Sequence, residues 1–357
     1  MTHLVLREEG SVRFYAPDVS KYGSIYAAPV FYNPAMERNR TLSVLLLKAY
    51  GSIYGGGLSV CEPLSGTGVR GMRYAVESGV VGRLVLNDIS KEAVETIKMN
   101  LELSGIDAEV YNEDANALLY RLAGACDFVD IDPFGSPAPF MHAAFRALRD
   151  EGLICVTATD TAVLTGKHPR KCLRRYGSAV RRTPFYIEVG LRVLLGYVAR
   201  VAASEDFQVQ PLIAYWEGHY FRVCARAVRG ARDADDALGQ VAYIEYRRGE
   251  RRVVNRPGER SLGPLWVGPL GDPAVVRKMA EHGPHRDFLL LLEEEYSAHV
   301  PWYYRVPEFA VEGRSVRLKE ALAALRGAGI YAVRTHAASD GFKAEASYGE
   351  VRRALFM

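Results

Sequence analysis

The residues with the most evident chemistry stand together at Asp132-Pro133-Phe134-Gly135, directly after the apolar run Cys126-Asp127-Phe128-Val129-Asp130-Ile131. A carboxylate, a rigid turn and an aromatic ring in that order can hold a flat base while its amino group is methylated. Methyl transfer from a sulfonium to an exocyclic amine is an in-line displacement, and the amine is a weak nucleophile because its lone pair is delocalised into the ring. The carboxylate of Asp132 and the backbone carbonyl of Pro133 can accept the two amino hydrogens and turn the nitrogen toward the methyl group, and Asp132 can take up the departing proton. Phe134 offers a stacking face, worth roughly 1 to 3 kcal/mol per base. Asp-Pro also marks ordinary turns, so the surrounding elements decide what the motif means.

Those elements follow an α/β pattern. Gly57 to Glu62 is a short apolar run leading into Pro63-Leu64-Ser65-Gly66-Thr67-Gly68-Val69-Arg70-Gly71 and then a helical pattern through Arg73 to Ser78. Arg83 to Asp88 predicts a second strand, Lys91 to Leu103 a helix, and Glu109-Val110-Tyr111 a third strand before Asp114. Gly152 to Thr157 predicts a fifth strand and Ile187 to Val201 a long helix, an alternation that implies a parallel sheet. Ligands bind outside the carboxyl ends of the strands in such a sheet, so Glu62, Asp88, Asp114 and Asp132 should share one crevice. Gly66 and Gly68 would let the backbone approach the methionine portion of S-adenosylmethionine. Asp88 is placed for the ribose, and Asp114 with the backbone of Ala115 for the adenine edge. Each acid could instead cap the next helix, and Gly-x-Gly could be a packing turn.

Phe207 to Trp216 and Tyr220 to Val228 read as a hairpin about Glu217-Gly218-His219 that closes the sheet edge with a reversed strand. This predicts a Rossmann-like class I S-adenosylmethionine-dependent methyltransferase fold over residues 1–230. From Ala231 the pattern changes to a smaller α+β domain, residues 231–357. It carries the loop Gly263 to Leu270, helical character from Asp272 to Val300 and from Ser315 to Ala328, and two strands between Gly329 and Ala346.

With 49% hydrophobic and 24% charged residues in 357, the composition is that of an ordinary globular protein. No apolar stretch approaches the roughly 20 residues of a membrane helix, and the start lacks the regions of a signal peptide, so no membrane association and a cytoplasmic location are expected. The cysteines Cys61, Cys126, Cys155, Cys172 and Cys224 are scattered, which signals neither a disulfide framework nor a metal site. The net charge of +3 is small, but its distribution is uneven. Between Thr161 and Ile187 there is no acid, while Lys167, His168, Arg170, Lys171, Arg174, Arg175, Arg181 and Arg182 accumulate. That segment is a candidate phosphate-binding surface, the alternative being a solvated helix face. The second basic run, Arg247 to Arg252, reads as a hairpin turn.

A base drawn from its helix needs a second ring on its other face. Upstream, Phe31-Tyr32 precedes the turn Asn33-Pro34; by chemistry alone Phe31 is better explained as core. Here a resemblance decides. Phe31-Tyr32-Asn33-Pro34 with Asn39-Arg40, Ser65 to Gly71, Asn87-Asp88, Glu113-Asp114-Ala115-Asn116 and Asp130 to Pro137 closely resemble the archaeal and eukaryotic tRNA (guanine(26)-N(2))-dimethyltransferase family. The likeness continues through Ala158-Thr159-Asp160-Thr161-Ala162, Gly166-Lys167-His168-Pro169, Glu188 to Arg192 and Gly263 to Gly268.

The resemblance implies a class I domain joined to a family-specific C-terminal domain that binds tRNA. It implies that Arg40, Arg70, Asp88, Asp114 and Ala115 bind S-adenosylmethionine, that Asp132 is catalytic, and that Phe31 and Phe134 sandwich the guanine. Lys167, Arg170, Lys171, Arg174 and Arg175 are the expected RNA contacts, and no obligate protein partner is indicated. Many relatives carry cysteine pairs, resembling a zinc site, before the Gly-Pro-Leu-Trp motif; Ala242 to Leu262 here has none, so no metal is expected and packing or ion pairs must hold that region. Two other readings stay open: methylation of an amino group in another RNA or in DNA, and a tRNA-binding or folding module that does not need Asp132.

Overall fold

The computed structural model describes residues 3–310 and 316–356. The chain packs as two units, one of residues 1–133, 139–156 and 281–284, the other of residues 134–138, 157–280 and 285–357. The first opens with an antiparallel hairpin, β1 (Leu4–Glu9) and β2 (Val12–Pro17), followed by helix α1 (Glu37–Tyr54). Then come β3 (Leu58–Glu62), α2 (Val69–Glu77), β4 (Val81–Asn87), α3 (Lys91–Ser104), β5 (Glu109–Tyr111), α4 (Ala115–Arg121), β6 (Cys126–Ile131), α5 (Met141–Ala147) and β7 (Leu148–Ala158). β3 lies between β4 and β6, β5 flanks β4, β7 flanks β6, and all four pairings are parallel. The central strands are buried almost throughout, which is why they read as unbroken apolar runs. The predicted strand ends hold: Glu62 closes β3, and Asp88, Asp114 and Asp132 fall just beyond β4, β5 and β6.

The second unit takes the last residues of β7 and continues with α6 (Thr161–Leu164), α7 (Pro169–Tyr176), α8 (Tyr186–Ser204), β8 (Phe207–Glu217), β9 (Tyr220–Arg229) and α9 (Ala231–Leu238). β8 and β9 are antiparallel, with Glu217 opposite Tyr220 across the Gly218-His219 turn. The large sheet has the order β5-β4-β3-β6-β7-β9-β8, that of a class I methyltransferase with its reversed strand. Next come β10 (Val241–Arg247), β11 (Glu250–Val254) and β12 (Ser261–Trp266), forming a sheet in the order β11-β10-β12. The remaining elements are α10 (Pro273–Glu281), α11 (Arg286–Tyr296), β13 (Tyr304–Arg305), α12 (Leu318–Gly327), β14 (Ala332–Arg334), β15 (Gly341–Ala344) and α13 (Tyr348–Phe356).

Several features depart from the sequence reading. The helical stretch from Asp272 to Val300 is two helices, because Gly283-Pro284 interrupts it and His285 adopts φ +68°. The helix expected from Ser315 begins at Leu318, and residue 315 lies outside the described residues. Packing does not divide the chain at 230/231: α8 packs on α9 and β12, and α9 on β8, so these elements share one unit. Cys155 and Cys224 are disulfide-bonded, which their distant positions in sequence do not signal; Cys61, Cys126 and Cys172 are free.

The second unit is tied together by buried charges. Glu188 of α8 accepts hydrogen bonds from Arg192 at 2.9 Å and from Lys343 at 2.8 Å. Arg192 also donates to the carbonyls of Trp266 and Gly268, which ties the Glu188 to Arg192 segment to the Gly263 to Gly268 segment. Glu295 accepts from Thr335 and the backbone N–H of His336 and lies 2.7 Å from His336 Nδ1, while His336 Nε2 accepts the N–H of Trp216. In the region without cysteines, the β10–β11 turn is a tight hairpin with Arg248 and Gly249 both at positive φ. Arg251 of β11 donates twice to Glu308, at 2.8 and 2.6 Å, and its guanidinium lies 4.3 to 5.3 Å from the rings of Phe185, Tyr246 and Tyr304. A buried cation enclosed by three rings and a bidentate carboxylate staples this segment.

Arg251→Met would leave Glu308 without its counter-charge, and denaturant unfolding is expected to show a loss of about 3 kcal/mol. Adding Glu308→Leu should recover most of it.

Candidate active site

The strand-end acids converge on one side chain. Arg70, in the first turn of α2, is buried, and its guanidinium reaches acceptors from three directions. Nη2 bonds Asp132, Nη1 donates to Asn39 Oδ1 at 2.8 Å and Ser43 Oγ at 3.3 Å and lies 3.5 Å from Asp130, and Nε stands 3.5 Å from Glu62. Tyr74, one turn further along α2, donates to Asp130. Asp132 is therefore aimed by a cation that the two strands β3 and β6 and the helix α1 hold in place. Its carboxylate stays partly accessible, at 18%.

The glycine loop packs closely against the protein's own backbone. Gly66 and Gly68 have φ +55° and +77°, and a Cβ at Gly66 would stand 2.7 Å from the carbonyl oxygen of Phe31. Gly66 N–H donates to Asp88 Oδ2 at 2.9 Å, and Ser90 N–H to Asp88 Oδ1 at 3.0 Å. Burial raises the Asp88 carboxyl above its ordinary value, against these backbone bonds. Asp114 caps α4, its Oδ1 accepting from Asn116 and Ala117, and is exposed; Ala115 behind it is buried. The helix-cap alternative therefore holds for Asp114, although capping occupies one of its two oxygens. Buried Asn87, given no role of its own by the sequence, ties the loops that follow β3, β4 and β5 through Pro63, Ser65 and Glu113.

The segment carrying Phe31 is anchored by Glu9, another residue without a sequence signal. Buried Glu9 accepts from Arg40 Nε at 2.6 Å, Arg40 Nη2, Arg73 at 2.9 Å and Tyr32 Oη at 3.0 Å. Arg40 also donates to the Asn33 carbonyl and lies 5.2 Å from the Tyr32 ring. Thus the predicted cofactor residue Arg40 is engaged with the N-terminal hairpin. Asn100 bonds both Tyr15 backbone groups and the Thr67 carbonyl, fixing β2 against the glycine loop. Phe31 is half-buried and stacks with Tyr26 at 6.5 Å.

In the second unit, Phe134 is 59% exposed, and the following turn is braced. Gly135, at φ +78°, donates to Thr159 Oγ1 at 2.7 Å and accepts from Thr159 N–H at 2.8 Å. Ser136 donates to Tyr176, Tyr176 donates to Asp160, and Arg175 pairs with the same Asp160 at 2.8 Å. The Thr159-Asp160 motif thus joins the Phe134 turn to the basic helix α7. On that helix and the loop before it, Lys167, Arg170, Lys171 and Arg174 are exposed, whereas Arg175 is half-buried by its ion pair. Among the described residues no cluster of His, Cys, Asp or Glu could hold a metal.

Burial, reinforced by Asp130 and Asp132 and opposed by Arg70, pushes the Glu62 carboxyl up to about 8. A raised value means that the folded state favours the proton. Its stability contribution is therefore complete below the ordinary value of 4.5 and declines as pH rises toward about 8. In thermal unfolding from pH about 5 to about 8, wild type is expected to lose several degrees relative to Glu62→Gln.

The glycine loop and the acids Glu62, Asp88 and Asp114 lie at the carboxyl ends of β3, β4 and β5, where an open α/β sheet binds its ligand. A family model for N2,N2-dimethylguanosine tRNA methyltransferase matches residues 10–356. The tRNA (guanine(26)-N(2))-dimethyltransferase of Pyrobaculum aerophilum is 71% identical over 99% of this chain and 97% of its own length. That of Thermococcus kodakarensis is 38% identical over 99% of each. The solved structure of Trm1 from Pyrococcus horikoshii with S-adenosyl-L-methionine superposes with a TM-score of 0.90 at 31% identity, over 98% of this chain and 99% of that one. By matches that run almost from end to end, this chain belongs to the N2,N2-dimethylguanosine tRNA methyltransferase family.

Proposed function

We propose that this protein dimethylates the exocyclic N2 amine of guanine 26 in tRNA. The observation that carries the reading is Asp132, held at the end of β6 by buried Arg70 and followed in the chain by the Pro133 carbonyl and the exposed Phe134 ring. S-adenosylmethionine supplies the electrophilic methyl group on a sulfonium. Asp132 and the Pro133 carbonyl accept the two amino hydrogens, localise the nitrogen lone pair and direct it along the displacement line. Asp132 takes the proton released by the transfer. After the first methylation one N–H remains, and once Asp132, partly open to solvent, has passed its proton to water, it can orient the amine for the second transfer.

Phe134 stacks on the guanine, and Phe31 is assigned to its other face. The exposed Lys167, Arg170, Lys171 and Arg174 serve the tRNA backbone, while Arg175, committed to Asp160, is assigned a bracing role. Residues 231–357 are assigned to tRNA binding, and a cytoplasmic location suits such a substrate. Among the described residues no helix is long and apolar enough to cross a membrane.

With labelled S-adenosylmethionine and unmodified tRNA transcripts, Asp132→Ala is expected to lower dimethylguanosine formation about 100-fold or more, and replacing guanine 26 by adenine to abolish it. Transfer that survives the base replacement would redirect the activity to another nucleotide. Asp160→Ala, which releases the brace on the Phe134 turn, is expected to lower kcat about tenfold while the KM for S-adenosylmethionine stays unchanged.

A further inference from the structure

Asn39 stands at the start of α1 and is wholly buried. Its Oδ1 accepts from Arg70 Nη1 at 2.8 Å, which fixes the other end of the amide as the donor, and that donor, Nδ2, has no acceptor among the described residues. A buried N–H group without a partner costs free energy, and buried polar groups in folded proteins are almost always satisfied. We infer that Asn39 Nδ2 is a ligand donor, and that it binds the α-carboxylate of the methionine moiety of S-adenosylmethionine.

The order of elements selects this part of the cofactor. Along the strand ends, Asp114 follows β5, Asp88 follows β4, Glu62 and the glycine loop follow β3, and Asp132 follows β6. The adenosine acids thus lie at the β5–β4 side. Asn39 is bonded to the arginine that spans Glu62 of β3 and Asp130 and Asp132 of β6, on the side where the methionine portion must run. The chemistry agrees. A carboxylate requires N–H donors, and the two nearby arginines are largely engaged: Arg70 by Asp132, Asn39 and Ser43, and Arg40 by Glu9 and the Asn33 carbonyl. A neutral amide adds a donor without adding to the buried charge.

This assignment rests on S-adenosylmethionine being the methyl donor, and two adenosine ligands separate it from that reading. S-adenosylhomocysteine carries the amino-acid carboxylate; 5′-methylthioadenosine has the same adenosine and thioether but lacks it. Calorimetric titration of the full chain compares wild type with Asn39→Asp, which keeps the acceptor for Arg70 and exchanges only the donor, and with Asn39→Ala. S-adenosylhomocysteine binding is expected to weaken about 10- to 100-fold, more for Asp than for Ala, with methylthioadenosine binding within about twofold of wild type. Equal losses for both ligands, or none for either, would overturn the role of Asn39. Wild type that binds neither would overturn the cofactor reading and this assignment with it.

Discussion

The constraint on which the site depends is one buried guanidinium shared among carboxylates. Arg70 cannot be removed from water without acceptors on every side, so its burial requires β3, β6, α1 and α2 to meet in one geometry. Once they meet, Asp132 has its orientation. The charge is not balanced by Arg70 alone, because Glu62, Asp130 and Asp132 all face it; the proton favoured on Glu62 relieves the excess. A site with this surplus of acids suits a cationic sulfonium ligand.

Around that centre, second layers of polar side chains align the loops. Glu9 gathers Arg40, Arg73 and Tyr32, so the N-terminal hairpin becomes the support for the segment bearing Phe31. Asn87 and Asn100 do the same for the loops bearing Asp88 and the glycines. In the second unit, Asp160 ties the turn after Phe134 to the helix that presents the basic side chains. The basic helix α7 and the turn after Phe134 thereby belong to one hydrogen-bonded body. The Arg251 cage holds the β10–β11 segment, which carries no cysteine, by packing of rings around a guanidinium and an ion pair.

Much of the architecture was legible in the chain because its signals are local. Buried parallel strands appear as apolar runs, and a glycine loop between strand and helix has few alternatives. The Gly-Pro pair that splits Asp272 to Val300 was a local signal too, and reading it would have placed the break at residues 283–284. The brace at Asp160 and the anchor at Glu9 were not legible. Both are acids whose partners are named only when the chain folds, Glu9 with Arg73 far along the sequence and Asp160 with Arg175 on a different helix.

By itself, then, the sequence determined the strand-loop-helix order, the acids at the strand ends and the reversed hairpin. Each follows from periodicity or from residue types within a few positions. Only the tertiary structure decided which charges are free to act. Arg70, Arg40 and Arg175 look alike in sequence as candidate ligand contacts, yet folding commits each to an internal carboxylate, while Asn39, given no role of its own by the sequence, keeps a buried donor with no acceptor among the described residues. The reason is physical: burial makes an unpaired polar group costly, and the identity of its partner is set by proximity in space, which sequence spacing does not encode.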